Sequence, residues 1–204
     1  MIKEFWDFDE NLNYVSIKAD DGLYYKVWNL GPPEILNEVA DVLAKVRHDI
    51  NTILIYAYQN RDLWYNHPIA FGMFHTFDIH TPEIYNLTSP KPEDFVTFTY
   101  QEMAKNDWGG LGLNKPKVII SIPVEYKGKE VDYPIAERRA IFLTIRNLRN
   151  NKLNKYSTIL DLAIHELTHT TCNDVKWKKD NHLHPYPVYH KLMRSLAKKA
   201  GVLN

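Results

Sequence analysis

The chain has 204 residues, 45% of them hydrophobic, with 25 basic against 25 acidic residues and a single cysteine. That length allows a true core, and the balanced charge argues against a nucleic-acid partner held by bulk electrostatics. Cys172 alone excludes an internal disulfide and suits a reducing compartment, no apolar run approaches the roughly 20 residues of a membrane span, and Met1 to Glu10 lacks the apolar stretch of a signal peptide.

Residues 1–110 read as an N-terminal lobe. Tyr14 to Trp28 alternates around Asp21-Gly22, which predicts a β-hairpin. Pro32-Pro33 then introduces a long helix, with Ile35, Val39, Val42, Leu43 and Val46 on its apolar face and Ile50, Ile53 and Leu54 continuing it. His48 falls on its polar side. Residues 60–110 are rich in aromatics, among them Trp64, Phe71, Phe95 and Trp108, and are broken by Pro68, Pro82, Pro90 and Pro92. This pattern predicts loops and short helices around an aromatic core rather than a stacking surface for single strands, because basic residues are not interleaved. His75 and His80 flank Phe77, but solitary histidines of this kind are mostly surface or core residues. Gly109-Gly110 and Gly112 suggest a joint between lobes.

Residues 111–204 read as a second, catalytic domain. Val118 to Ile122 is a predicted buried strand, Glu125 to Pro134 a turn or excursion around Lys127-Gly128-Lys129, and Ala140 to Arg146 a second strand. A polar turn through Asn150-Asn151 leads to an uninterrupted stretch from Thr158 to Cys172. In it Leu160, Ala163, Ile164 and Leu167 recur at spacings of three and four, the period of a buried helix stripe. Thr158 with Asp161 resembles a capping box. Helices beside a small antiparallel sheet make the expected class α+β.

This helix closes on His165-Glu166-Leu167-Thr168-His169, an HExxH sequence. Histidines four apart share a helix face, so both rings can reach one metal ion, and Glu166 is placed to take a proton from a metal-activated water. A chance match would more often fall in a loop or lack the apolar stripe. Neutral imidazoles suit zinc, which in catalytic sites takes three protein ligands and keeps one position open. The third ligand is expected in Asp180 to His190, where His182 and His184 are alternatives. Pro185 and Pro187 open a last helix, whose apolar positions Tyr186, Tyr189, Met193 and Leu196 lie on one face. His190 stands singly, and Cys172 reads as a packing residue. Lys176, Lys178 and Lys179 read as a solvated loop face.

The motif resembles the SprT-like and WLM zinc metalloproteases, in which HExxH is followed by a variable loop, a third histidine and an aromatic four residues later. His182 to Tyr186 reproduces that spacing, whereas His184 to Tyr189 misses it by one. Ile141 to Arg146 resembles the edge strand that precedes the active-site helix in compact zincins. The fold core over about residues 111–204 also resembles predicted metalloproteases of large DNA viruses. The basic tail of DNA-targeted members is missing, and the glycine and proline that often accompany the third histidine are displaced or absent.

The resemblance implies a compact zincin-like fold and a zinc-dependent peptidase, with His165, His169 and either His182 or His184 on the metal and Glu166 as base. It implies a protein or peptide substrate bound by strand addition along Ala140 to Arg146. The lone cysteine and the missing signal stretch point to a non-secreted, intracellular setting in the cytoplasm or nucleus, with association to a virion as the alternative that the viral resemblance raises. Tyr186, Tyr189 and Arg146 are candidates for a second oxyanion donor. Two other readings stand beside it. One is a non-catalytic structural or virion protein that binds zinc, against which Glu166 argues. The other is a DNA-associated protease for protein crosslinks, against which the neutral charge argues.

Overall fold

A computed structural model of the chain describes residues 13–60, 99–104, 110–126, 129–171 and 186–204. The N-terminal hairpin forms as expected. β1 (Tyr14–Lys18) pairs antiparallel with β2 (Tyr24–Trp28), Tyr14 opposite Trp28 and Lys18 opposite Tyr24. The loop between them closes with the Gly22 amide on the Ala19 carbonyl, and Gly22 takes φ 81°. That backbone conformation is one a side chain would strain, so the glycine sets the turn.

Pro33 sits in the first turn of α1 (Pro33–Gln59), where its missing N–H has no helical partner to lose. Leu36, Val39, Leu43, Val46, Ile50, Ile53 and Leu54 are buried along it, while Ile35 and Val42 lie at the edge of the same stripe and His48 is exposed.

The main sheet has five strands in the order β1-β2-β3-β5-β4, with β3 (Thr99–Glu102), β4 (Gly110–Tyr126) and β5 (Lys129–Leu143). It is mixed rather than antiparallel: β3 runs parallel to both β2 and β5. A two-stranded ribbon of β6 (Arg146–Asn147) and β7 (Lys152–Leu153) follows. The motif helix α2 (Tyr156–Thr171) comes next, and α3 (Tyr186–Lys199) closes the described chain. The class is therefore α+β, with a small sheet and three described helices. No described helix is long and apolar enough to cross a membrane.

Tyr25 and Val27 of β2, Tyr100 of β3, and Ile141 and Leu143 of β5 share one core with α1, α2 and α3. One sheet thus draws β1–β3 from before residue 110 and β4–β5 from residue 110 onward. Gly110 and Gly112 lie inside β4, opposite Leu143 and Ile141. β4 holds the expected strand at Val118–Ile122 and runs on to Tyr126, and β5 begins at Lys129. The excursion expected over Glu125 to Pro134 is thus largely paired strand. The register slips between Lys115 and Ile119, where Pro116 has no N–H to give the ladder.

Ala140 to Leu143 is not an edge. These residues pair with Thr99–Glu102 on one side and with Leu113–Gly110 on the other. The strand-addition site expected there is already occupied by β3. Among the described strands, β1 and β4 form the edges.

Candidate functional site

The motif helix starts earlier than its sequence suggests. The amides of Thr158 and Ile159 donate to the Lys155 carbonyl, so Thr158 lies inside the first turn and is not the cap. Asp161 forms an ion pair with Arg194 instead, joining α2 to α3. Ile159, Leu160, Ala163, Ile164 and Leu167 are buried. They fix the rotation of α2, and β4 and β5 run alongside it. Tyr156 adds a tie to α1: its hydroxyl donates to Asp49 at 2.6 Å and Lys45 lies over its ring. Burial and the Asp49 carboxylate push the Tyr156 hydroxyl well above the usual tyrosine range, so it stays a neutral donor.

This rotation brings the two motif histidines together. Their Nε2 atoms are 3.1 Å apart and their ring centroids 4.8 Å apart, with planes at 74°. Two nitrogens that share a tetrahedral zinc at about 2.0–2.1 Å stand roughly 3.3 Å apart. The observed pair is close to that separation, as the spacing of four predicts. The same distance also lets one neutral imidazole donate to the other. Glu166 is 5% exposed, and glutamate is seldom that buried without a specific role. Thr168 is buried and its hydroxyl returns to the Ile164 carbonyl at 2.8 Å, leaving it a helix residue rather than a site residue.

α3 forms one wall of the site. Tyr186, Tyr189, Met193 and Leu196 are buried on a single face, as their spacing predicts, and Ala197 joins them. Tyr186 stacks on His169 at 4.3 Å and lies 5.1 Å from His165. Its hydroxyl donates to the His165 carbonyl at 3.3 Å. His190, one helical turn further on, has its ring 5.6 Å from His165 and stacks on Tyr186. The sequence left His190 solitary. Its signal was the four-residue step from Tyr186, which puts both rings on the face turned to the motif.

Of the proposed oxyanion donors, Tyr186 is the one in ring contact with the motif histidines. Tyr189 is packed in the core. Arg146 is fully buried and spends all five of its N–H groups elsewhere. They go to Glu102 at 2.8 and 3.2 Å, to the Trp28 and Leu30 carbonyls and to Asn151 Oδ1. Arg146 holds the fold together and does not face a substrate.

His182 and His184 lie outside the described residues, as do His67, His75, His80, Cys172 and the lysines at 176, 178 and 179. Among the described residues, no three His, Cys, Asp or Glu side chains gather to hold a metal ion. The described part of the site is a pair of converging imidazoles, a buried carboxylate and an aromatic wall.

Comparison with models of protein families, with curated protein sequences and with solved structures gives no match. The functional reading therefore rests on this chain's own residues.

Proposed function

We propose that this protein is a zinc-dependent metallopeptidase with a zincin-like arrangement of its motif helix and sheet. The observation that carries the reading is the 3.1 Å convergence of the His165 and His169 Nε2 atoms, together with the burial of Glu166, the residue that follows His165 in the chain. A structural site has no use for a buried glutamate next to its first ligand, whereas a hydrolase needs a base there.

His165 and His169 would hold the ion as neutral rings, with His182 or His184 as the third ligand. Zinc supplies Lewis acidity, stabilising negative charge on a carbonyl oxygen and making water more acidic. Glu166 accepts the proton of the attacking water and returns it to the leaving amine. Tyr186 stacks on His169 and so restrains the ring's rotation. An extended substrate would add to the sheet at β4, since β4 is a free edge among the described strands and runs beside α2.

Metal analysis tests the reading. Protein purified without chelator should carry about one zinc per chain. The His165→Ala/His169→Ala variant should carry none. Full zinc occupancy in that variant would dismiss the site.

The third ligand can be separated by chelator competition. His182→Ala should weaken zinc binding more than His184→Ala, because only His182 keeps the four-residue step to Tyr186. Loss of a zinc ligand's neighbour typically costs about 10–100-fold in affinity, and loss of the ligand itself should exceed that. The reverse order would assign the site to His184 and leave the peptidase reading intact.

A further inference from the structure

α3 carries Lys191, Arg194, Lys198 and Lys199 and no acidic residue, in a chain whose charges balance as a whole. Pro187, Lys191, Arg194 and Lys198 follow one another at steps of four, three and four, which places them in one stripe along the helix. That stripe borders an open groove of about 530 Å³, whose near end is lined by Tyr186 and His190. These are the two rings that touch the motif histidines. The groove therefore runs along α3 and shares Tyr186 and His190 with the wall of the candidate site.

Charges along it are not evenly committed. Arg194 is paired with Asp161, whereas Lys191 and Lys198 are exposed and have no carboxylate partner among the described residues. The groove thus has an aromatic and proline end, a uniformly basic side and two ammonium groups that no carboxylate compensates among the described residues. From Pro187 to Lys198 the helix rises by about 16 Å, the length of roughly five residues of extended peptide.

We propose that this groove binds an acidic peptide segment, and that the segment is the part of a protein substrate flanking the bond presented to His165, His169 and Glu166. The assignment to substrate rests on the peptidase reading above; the acidic preference rests on the stripe itself. A peptide fits better than a nucleic acid. Polyanion binding draws on many phosphate contacts, while this stripe offers two cations without a carboxylate partner among the described residues, beside apolar ring surface.

The test uses fluorescence anisotropy with the full-length Glu166→Gln protein, so that probes survive. Three labelled hexapeptides differ only in charge, carrying aspartate and glutamate, glutamine, or lysine. The acidic peptide should bind at least tenfold more tightly than the lysine peptide at low salt, and the gap should narrow as salt screens it. Adding Lys191→Glu and Lys198→Glu, both at exposed positions, should invert the preference. Reversing Lys18 and Lys26, which are far along the chain in β1 and β2, should not. Equal binding of the three peptides, or an acidic preference that survives reversal at 191 and 198, overturns the proposal. So does a single-stranded oligonucleotide that binds more tightly than the acidic peptide and is lost on the same reversal. Zinc content is measured on the same samples. A zinc-loaded protein that binds all peptides alike defeats the groove alone. A zinc-free protein that shows the charge preference and its inversion defeats the zinc-peptidase reading and keeps the groove as a peptide site.

Discussion

Glu166→Gln should lower hydrolysis of an unfolded protein such as casein by about 10²–10⁴-fold or more while leaving zinc content and fold intact. The magnitude follows from what is removed. Glutamine has nearly the same shape as glutamate, so the buried position stays filled and no cavity opens. What it lacks is a lone pair basic enough to take a proton from water. His165 and His169 are untouched, so zinc analysis should give the wild-type value. Thermal melting should also stay close to wild type, which separates loss of chemistry from loss of structure. Equal cleavage by wild type and variant would mean that Glu166 is not the base or that the activity is a contaminant's. Loss of zinc in the variant would place Glu166 on the metal rather than beside it. Running the wild type with and without single-stranded DNA separates the remaining alternative, because stimulation by DNA would favour a protease that acts on crosslinks.

Local signals in this chain specify their elements, whereas long-range pairings leave little trace in it. Asp21-Gly22 between alternating residues specified the first hairpin, and Pro32-Pro33 ahead of an apolar stripe specified α1. Each is decided within a few residues. The face of α3 was legible for the same reason: Tyr186, Tyr189, Met193 and Leu196 obey the helix period and are buried. Ala140–Leu143 is interior and not an edge because β3 arrives from residues 99–102 and pairs in parallel with β5 some 40 positions later. Parallel pairing leaves no turn in the sequence to announce it. Thr158 with Asp161 satisfied a capping pattern, yet Asp161 was required by Arg194 on another helix. At the site, the motif pair was legible from its spacing of four. The wall of Tyr186 and His190 was not, because it depends on how α3 packs across α2.

The largest effect on stability should come from Arg146, which the sequence offered as a catalytic donor. Glu102 lies on the core side of β3, next to Tyr100 and Leu143, where strand alternation would ordinarily put an apolar residue. Its side chain is 1% exposed and that of Arg146 is 0% exposed. A lone carboxylate there would be prohibitively costly. Arg146 answers it with two hydrogen bonds, and the Trp28 amide donates a third at 2.8 Å. The remaining guanidinium donors satisfy the Trp28 and Leu30 carbonyls and Asn151, which takes φ 56° and packs against Gly31. One side chain thus ties the end of β2, the entry to α1, β3 and the ribbon that leads into the motif helix. Removing one partner of a buried pair typically costs about 3–5 kcal/mol, because the other is left charged and unsolvated. Arg146→Met should therefore lower the melting temperature by roughly 6–20 °C, at about 2–4 °C per kcal/mol for a chain of this size. The penalty should also depend on pH. Burial pushes the Glu102 carboxyl above its ordinary range, and the Arg146 bond and charge and the Trp28 amide pull it back only in part. Without Arg146 the folded-state pKa rises further, while the unfolded value is unchanged. A raised folded pKa gives stability that is present below the unfolded pKa and lost as pH rises through the folded one. The variant should then be closest to wild type in mild acid and fall further behind as pH increases. Melting curves of both proteins across the acid-to-neutral range check this. A penalty below about 1 kcal/mol, the range of an exposed pair, or one that shrinks towards high pH, would refute the account of Arg146 as the neutralising tie of the core.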